Sequence, residues 1–157
     1  MITVAAEPNR KLVFARMSGF LSIEEVEQFS REEQGAVEKM GLRSGEHLLL
    51  IDTGNAVIQA QQVIAAFMHI VVHSRFKARR IAVVRHNSLT YLQSRRILSL
   101  RDNAEVFDTP EEAERWLFAE EGAPLHAARD VIRPLSPARA TIAAPRSDAL
   151  SDLPRRA

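Results

Sequence analysis

Only a few groupings in this chain combine residue types and spacings that could do chemistry. His69 and His73 stand four apart, which on a helix puts both imidazoles on one face, as a divalent metal requires. No aspartate or glutamate lies near them and no third ligand is evident, so no metal site is expected. His86, Asn87, Ser88, Thr90 and Tyr91 crowd one short segment. A serine beside a histidine invites a hydrolase reading. Neighbours on one short loop do not build a triad, however, and no acid lies between Thr53 and Arg101 to orient the imidazole. Helix capping explains this segment better. Cysteine is absent, which excludes disulfides, thiolate metal sites and cysteine nucleophiles. The six glycines fall in neither a GxGxxG nor a Walker spacing, so no phosphate loop and no cofactor is expected.

The grouping that remains is Asp52-Thr53-Gly54-Asn55, which closes the apolar run His47-Leu48-Leu49-Leu50-Ile51. A second such run, Arg80-Ile81-Ala82-Val83-Val84, follows one helix length later. Continuous apolar runs of this kind are buried on both faces and pair in parallel. The four residues are therefore expected in a turn at the carboxyl end of a central strand, before a helix amino terminus. Ligands gather at such ends in open α/β sheets. The competing reading is structural: Asp52 or Asn55 caps the helix and Gly54 supplies a left-handed turn.

The elements that must position this turn can be read along the chain. Ile2–Ala6 and Leu12–Met17 alternate, and Glu7-Pro8-Asn9-Arg10 between them favours a tight turn, so a hairpin is expected. Ser22 followed by Glu25 is a capping box opening a helix to about Met40. Ile23, Val26, Phe29, Val37 and Met40 form its inner stripe, and Glu24, Glu27, Glu32 and Glu38 its wet face. The next helix is expected over about Ala56 to His73. Its second half, Val63 to Val72, is apolar almost all round, which suits a pocket wall, a dimer face or plain burial against the sheet. Phe67 and Met68 there suit an adaptable pocket for a nonpolar ligand. Asn87 or Ser88 caps a helix to about Leu98, with Leu89, Leu92 and Ile97 inward. Ala104–Phe107 is a short strand, and Thr109-Pro110-Glu111-Glu112 starts a last helix packed through Ala113, Trp116 and Leu117.

At 157 residues the chain holds one core. Residues 1–121 form the domain, and 122–157 change character: proline punctuates a run of Ala, Ser and Arg with six arginines and three aspartates. Such a segment buries too little surface to offset its ordering entropy and is expected to be disordered. The start has no basic segment before an apolar one, and the longest apolar stretch is half the length needed to span a bilayer. A cytoplasmic location with no transmembrane segment is expected. Between Asp52 and Asp102 there is no acid, yet eight lysines and arginines occur there, Arg75, Lys77 and Arg101 among them. One side of the fold is then basic, which favours binding an anion or docking a partner, and the alternative is solvated charge on separate helices. Few aromatics interleave with these cations, so nucleic-acid binding is not expected.

The order hairpin, helix, strand, helix, strand, helix, strand, helix resembles the STAS domain, and within it the SpoIIAA-like branch grouped with the Sec14-type lipid-binding fold. The resemblance covers about Ile2 to Phe118. It is carried by Leu12-Val13-Phe14-Ala15-Arg16-Met17-Ser18-Gly19-Phe20-Leu21-Ser22, by Leu48-Leu49-Leu50-Ile51-Asp52, by Arg80–Val84, and by the closing Glu105 to Leu117. It implies an α/β fold with a small mixed, mostly parallel sheet of about five strands and about four helices. It further implies a non-catalytic regulatory or binding module, whose partner is a protein, a second copy in a homodimer, or a nonpolar small molecule. STAS antagonists of anti-sigma factors carry a phosphorylated hydroxyl at the start of the helix after the central strand. Here those positions fall on Ala60, Gln61 and their neighbours, and Thr53 lies too early. Thr53 and Ser88 are left as the candidate phosphorylation positions, and the departure points to the nonpolar-ligand branch.

Overall fold

The computed structural model describes residues 1–85 and 88–120; the side chains of Ser88 and Leu89, and the whole 122–157 segment expected to be disordered, lie outside the described residues. The elements are β1 (Ile2–Glu7), β2 (Leu12–Gly19), α1 (Ile23–Lys39), β3 (Leu48–Ala56), α2 (Gln61–His73), β4 (Arg80–Val84), α3 (Ser88–Leu98), β5 (Ala104–Phe107) and α4 (Pro110–Leu117). The five strands form one sheet in the order of the chain. β1 and β2 are an antiparallel hairpin, and every later pairing is parallel, including β3 with β4 in the register Leu49 to Ile81 and Ile51 to Val83. The expected tight turn is a short 3-10 turn over Pro8–Arg10, closed by Lys11 in the left-handed region at φ 51°.

Three crossovers advance the sheet in one direction, and right-handed crossovers then put their helices on one face. Val26, Phe29 and Val37 of α1, Val63 of α2 and Leu98 of α3 accordingly share one core with Val13, Leu49, Ile81 and Val83. Among the described residues the opposite face is covered by α4, whose Ala113 and Leu117 pack on Leu12, Leu48, Leu50, Ala82 and Val84. Strand alternation divides β3 between the two: Leu48 and Leu50 face α4, Leu49 the larger core.

Local helix signals perform as written. Ser22 accepts from Glu25 N–H at 3.2 Å while the Glu25 carboxylate accepts from Ser22 N–H at 2.9 Å, which holds that carboxyl below its ordinary value. Thr109 accepts from Glu112 N–H, with Pro110 in the first turn.

Four expectations need correction, and the simplest is Ile23, expected on the inner stripe of α1 but 38% exposed in its first turn. Asp52-Thr53-Gly54-Asn55 is no turn; it lies inside β3, which continues to Ala56 alongside β2. Arg16 pairs with Asp52 and Ser18 with Asn55, so β3 carries one extra residue there, a β-bulge. The Asp52 carboxylate accepts from Gly54 N–H at 2.8 Å and stabilises that irregularity, which is why polar residues persist in a central strand. As a result α2 starts at Gln61 and not Ala56, and the residue preceding it is Ala60, which makes no side-chain cap. Neither Asp52 nor Asn55 caps it. Finally, Leu92 points outward, 71% exposed, since α3 turns Thr90, Ile97 and Leu98 toward the sheet instead.

Candidate functional site

Between the sheet and helices α1, α2 and α3 lies a cavity of about 110 Å³. Its walls are chiefly apolar: Leu49, Ile51 and Val83 from the sheet, Phe67 and Ile70 from α2, Ile97 from α3. The reason is the tilt of responsibilities in α2. Val63 and Ile64 in its first turn are buried, whereas the second half only leans on the sheet through Phe67 and Ile70, with Val72 exposed. The uniformly apolar helix is thus a wall with a partly wet outer side, and Phe67 also meets Phe29 with ring centroids 6.3 Å apart.

At the carboxyl end of β3 the cavity is bordered by a glutamine stitch. Gln59 Nε2 donates to the carbonyls of Gly19 (2.9 Å) and Val57 (2.7 Å), and its Oε1 accepts from Leu21 N–H at 2.8 Å. The Gln59 backbone exchanges two further bonds with the Gln93 amide, each 2.9 Å. The Gln59 side chain therefore ties the segment before α1 to the segment before α2, and its backbone, through the Gln93 side chain, adds helix α3. Gln59→Ala is expected to remove about 2 kcal/mol of stability, since several half-buried backbone groups lose partners together, measurable as a lowered urea midpoint.

At the amino end of β3 sits a buried pair. Glu33 of α1 is 5% exposed and His47, immediately before β3, is 0% exposed. The imidazole Nε2 donates to Glu33 Oε1 at 2.9 Å, because a carboxylate can only accept. Glu33 Oε2 accepts from the Gln34 amide, which in turn bonds the Phe76 backbone in both directions. His47 Nδ1 is buried without a partner among the described residues. A histidine oriented by a carboxylate is half of a nucleophile-activating arrangement, and among the described residues no hydroxyl reaches the free ring nitrogen.

Two cations also line this end, Lys77 and Arg101. Arg101 Nε donates to Asn103 Oδ1 at 3.0 Å and its Nη2 to the Ala78 carbonyl at 2.9 Å. No carboxylate of the described residues pairs with it, and burial pushes its guanidinium below the ordinary value. An arginine so shifted remains a cation.

The residues singled out in the sequence separate in space. Thr53 and Phe67 meet at the cavity. The Thr53 hydroxyl is buried and donates to the Val84 carbonyl at 2.8 Å. Asp52 pairs with Arg16 at 3.2 Å, Asn55 is exposed, Gly54 serves the bulge, and Met68 does not reach the cavity. Ser88 is the first residue of α3, with a side chain outside the described residues. His69 and His73 stack at 4.2 Å, with His73 Nδ1 bonded to the His69 carbonyl. Glu33, His47, Gln59 and Arg101 were not anticipated. Glu33 alone had a sequence signal, standing between Phe29 and Val37 on the inner stripe of α1.

Comparison with known proteins supports the same architecture. No protein-family model matches the sequence, and no curated protein matches it. Among solved structures, an uncharacterized DUF3478-family protein with a SpoIIAA-like fold from Shewanella loihica PV-4 aligns with a TM-score of 0.59 and 17% identity, over 74% of this chain and 92% of that one. An anti-sigma factor antagonist from Mycobacterium paratuberculosis aligns with a TM-score of 0.50 and 13% identity, over 74% and 94% of the two chains. The described domain therefore has the SpoIIAA-like, STAS-type fold that the resemblance over residues 2–118 implied. Among the described residues, no helix is long and apolar enough to cross a membrane.

Proposed function

We propose that the protein is a non-catalytic SpoIIAA-like binding module whose working part is the apolar cavity beneath α2 and α3, and that it takes a nonpolar small molecule there. The observation carrying this reading is the cavity itself. An apolar recess of about 110 Å³ that is partly open to solvent leaves apolar wall in contact with water, which a nonpolar molecule seated there would cover. Nothing that lines it supplies a nucleophile with its base, which favours binding over catalysis. Native mass spectrometry of the purified full chain tests the reading: wild type is expected to carry or accept a nonpolar mass, and Ile70→Trp, which fills the cavity, is expected to lose it. Wild-type protein that neither retains nor accepts such a mass, while remaining folded, defeats it.

A second reading, docking of a protein partner or a second copy, has its own support. Phe20 is 79% exposed, and Ile58 and Leu92 are also exposed, on the segments that Gln59 and Gln93 tie together. A dimer mass without ligand in the same measurement favours this reading. A phospho-regulated role like that of an anti-sigma factor antagonist is the remaining alternative. It fits less well, since Thr53 is buried and hydrogen-bonded and α2 opens on Ala60 and Gln61, which carry no hydroxyl.

A further inference from the structure

Building on the nonpolar-ligand reading, we infer that the molecule taken by the cavity is a small amphiphile with an anionic head, its body between Phe67, Ile70 and Ile97 and its head at Arg101 and Lys77. Polar groups that line the cavity are mostly committed. Glu33 gives one oxygen to His47 and the other to Gln34, Thr53 donates to Val84, Ser74 donates to Ile70, and Gln59 and Gln93 bond each other. Among the described residues, the lining groups left without a partner are the Lys77 ammonium, Arg101 Nη1 and the Ser94 hydroxyl. Two of the three are cationic donors, and no acid of the described residues neutralises either.

The chain itself explains this imbalance, because residues 53–101 contain no acid and supply the whole of β4, α2 and α3. A half-buried guanidinium is costly to leave without a counter-charge, and its planar donors suit a carboxylate or phosphate oxygen. An ammonium head meets two like charges there, and a neutral head leaves the guanidinium unpaired. Size narrows the class further. An engineered apolar cavity of about 150 Å³ takes benzene, so about 110 Å³ suits a body of roughly six carbons or fewer.

The test is isothermal titration of the full chain with hexanoate, 1-hexanol and hexylamine, which share one body and differ in head. Hexanoate is expected to bind about ten-fold more tightly than hexanol, the order of one charge-assisted hydrogen bond, and hexylamine more weakly than either. Arg101→Gln is expected to bring hexanoate to within about two-fold of hexanol, while Arg101→Lys keeps the preference, which separates the charge from any general loosening of the fold. Equal binding of hexanoate and hexanol to wild type overturns the anionic head and leaves the nonpolar reading standing. A preference that survives Arg101→Gln unchanged overturns the assignment of the head to Arg101. Failure of all three to bind overturns the cavity reading together with this inference.

Discussion

Glu33→Ala is expected to destabilise the domain by about 3–5 kcal/mol, the unpartnered buried imidazole and the space left by the side chain adding together. The substitution leaves His47 fully buried with neither ring nitrogen partnered, and it opens space beside the existing cavity. It also strips the Gln34 amide of one acceptor, loosening the contact between α1 and the Phe76 backbone. Glu33→Gln keeps an acceptor oxygen for the imidazole and the shape of the side chain but sets its NH2 against the Gln34 amide donor, and should cost about 1–3 kcal/mol, less than Glu33→Ala. The double replacement Glu33→Leu with His47→Leu is expected to recover much of the loss, because apolar groups of similar volume need no partners. Urea unfolding of the three variants checks the series. A Glu33→Ala penalty below 1 kcal/mol would show that the pair contributes little to holding α1 on the sheet.

Leu117→Ala should be the other large effect, at about 2.5–5 kcal/mol for a fully buried leucine cut to alanine in a site that cannot collapse. Collapse is prevented by geometry. α4 has eight residues and is the one helix among the described residues on its sheet face, seated on Leu48, Leu50, Ala82 and Val84. What else holds it is modest. Arg80 Nη1 donates to the carbonyls of Trp116 (2.7 Å) and Ala119 (2.9 Å), and Arg10 reaches Glu114 at the surface, where an ion pair is worth little. Loss of Leu117 is therefore expected to release α4 before the rest of the domain unfolds. Hydrogen exchange should report faster exchange in α4 with β1 and α1 unchanged. Uniform acceleration across the sheet would instead mean that α4 and the hairpin unfold as one cooperative unit.

Some of these features were open to reading in the chain and others were not. Ser22 with Glu25 and Thr109 with Pro110 mark two helix starts because capping is a contact between residues three apart. His47–Ile51 and Arg80–Val84 announced adjacent parallel strands because a run buried on both faces has little alternative. The bulge misled the reading of Asp52–Asn55: polar residues with a glycine read as a turn, and only pairing with β2 draws them into the strand. That single change moved the start of α2 by five residues and removed the helix end from the expected site.

The caps were thus settled by contacts within a few residues, and the order of elements, the hairpin and the parallel pairing of β3 with β4 by the apolar pattern and turn residues of each segment, all of which local composition encodes directly. Tertiary structure alone decided that Glu33 meets His47 fourteen residues on, that Gln59 meets Gln93 thirty-four residues on, and that Arg101 lines the cavity with no carboxylate of the described residues bonded to it. Each depends on how far a helix is rotated about its axis and shifted along the sheet. Periodicity names the face that a helix buries, but the neighbours competing for that face set the last fraction of a turn, and with it the residues that meet.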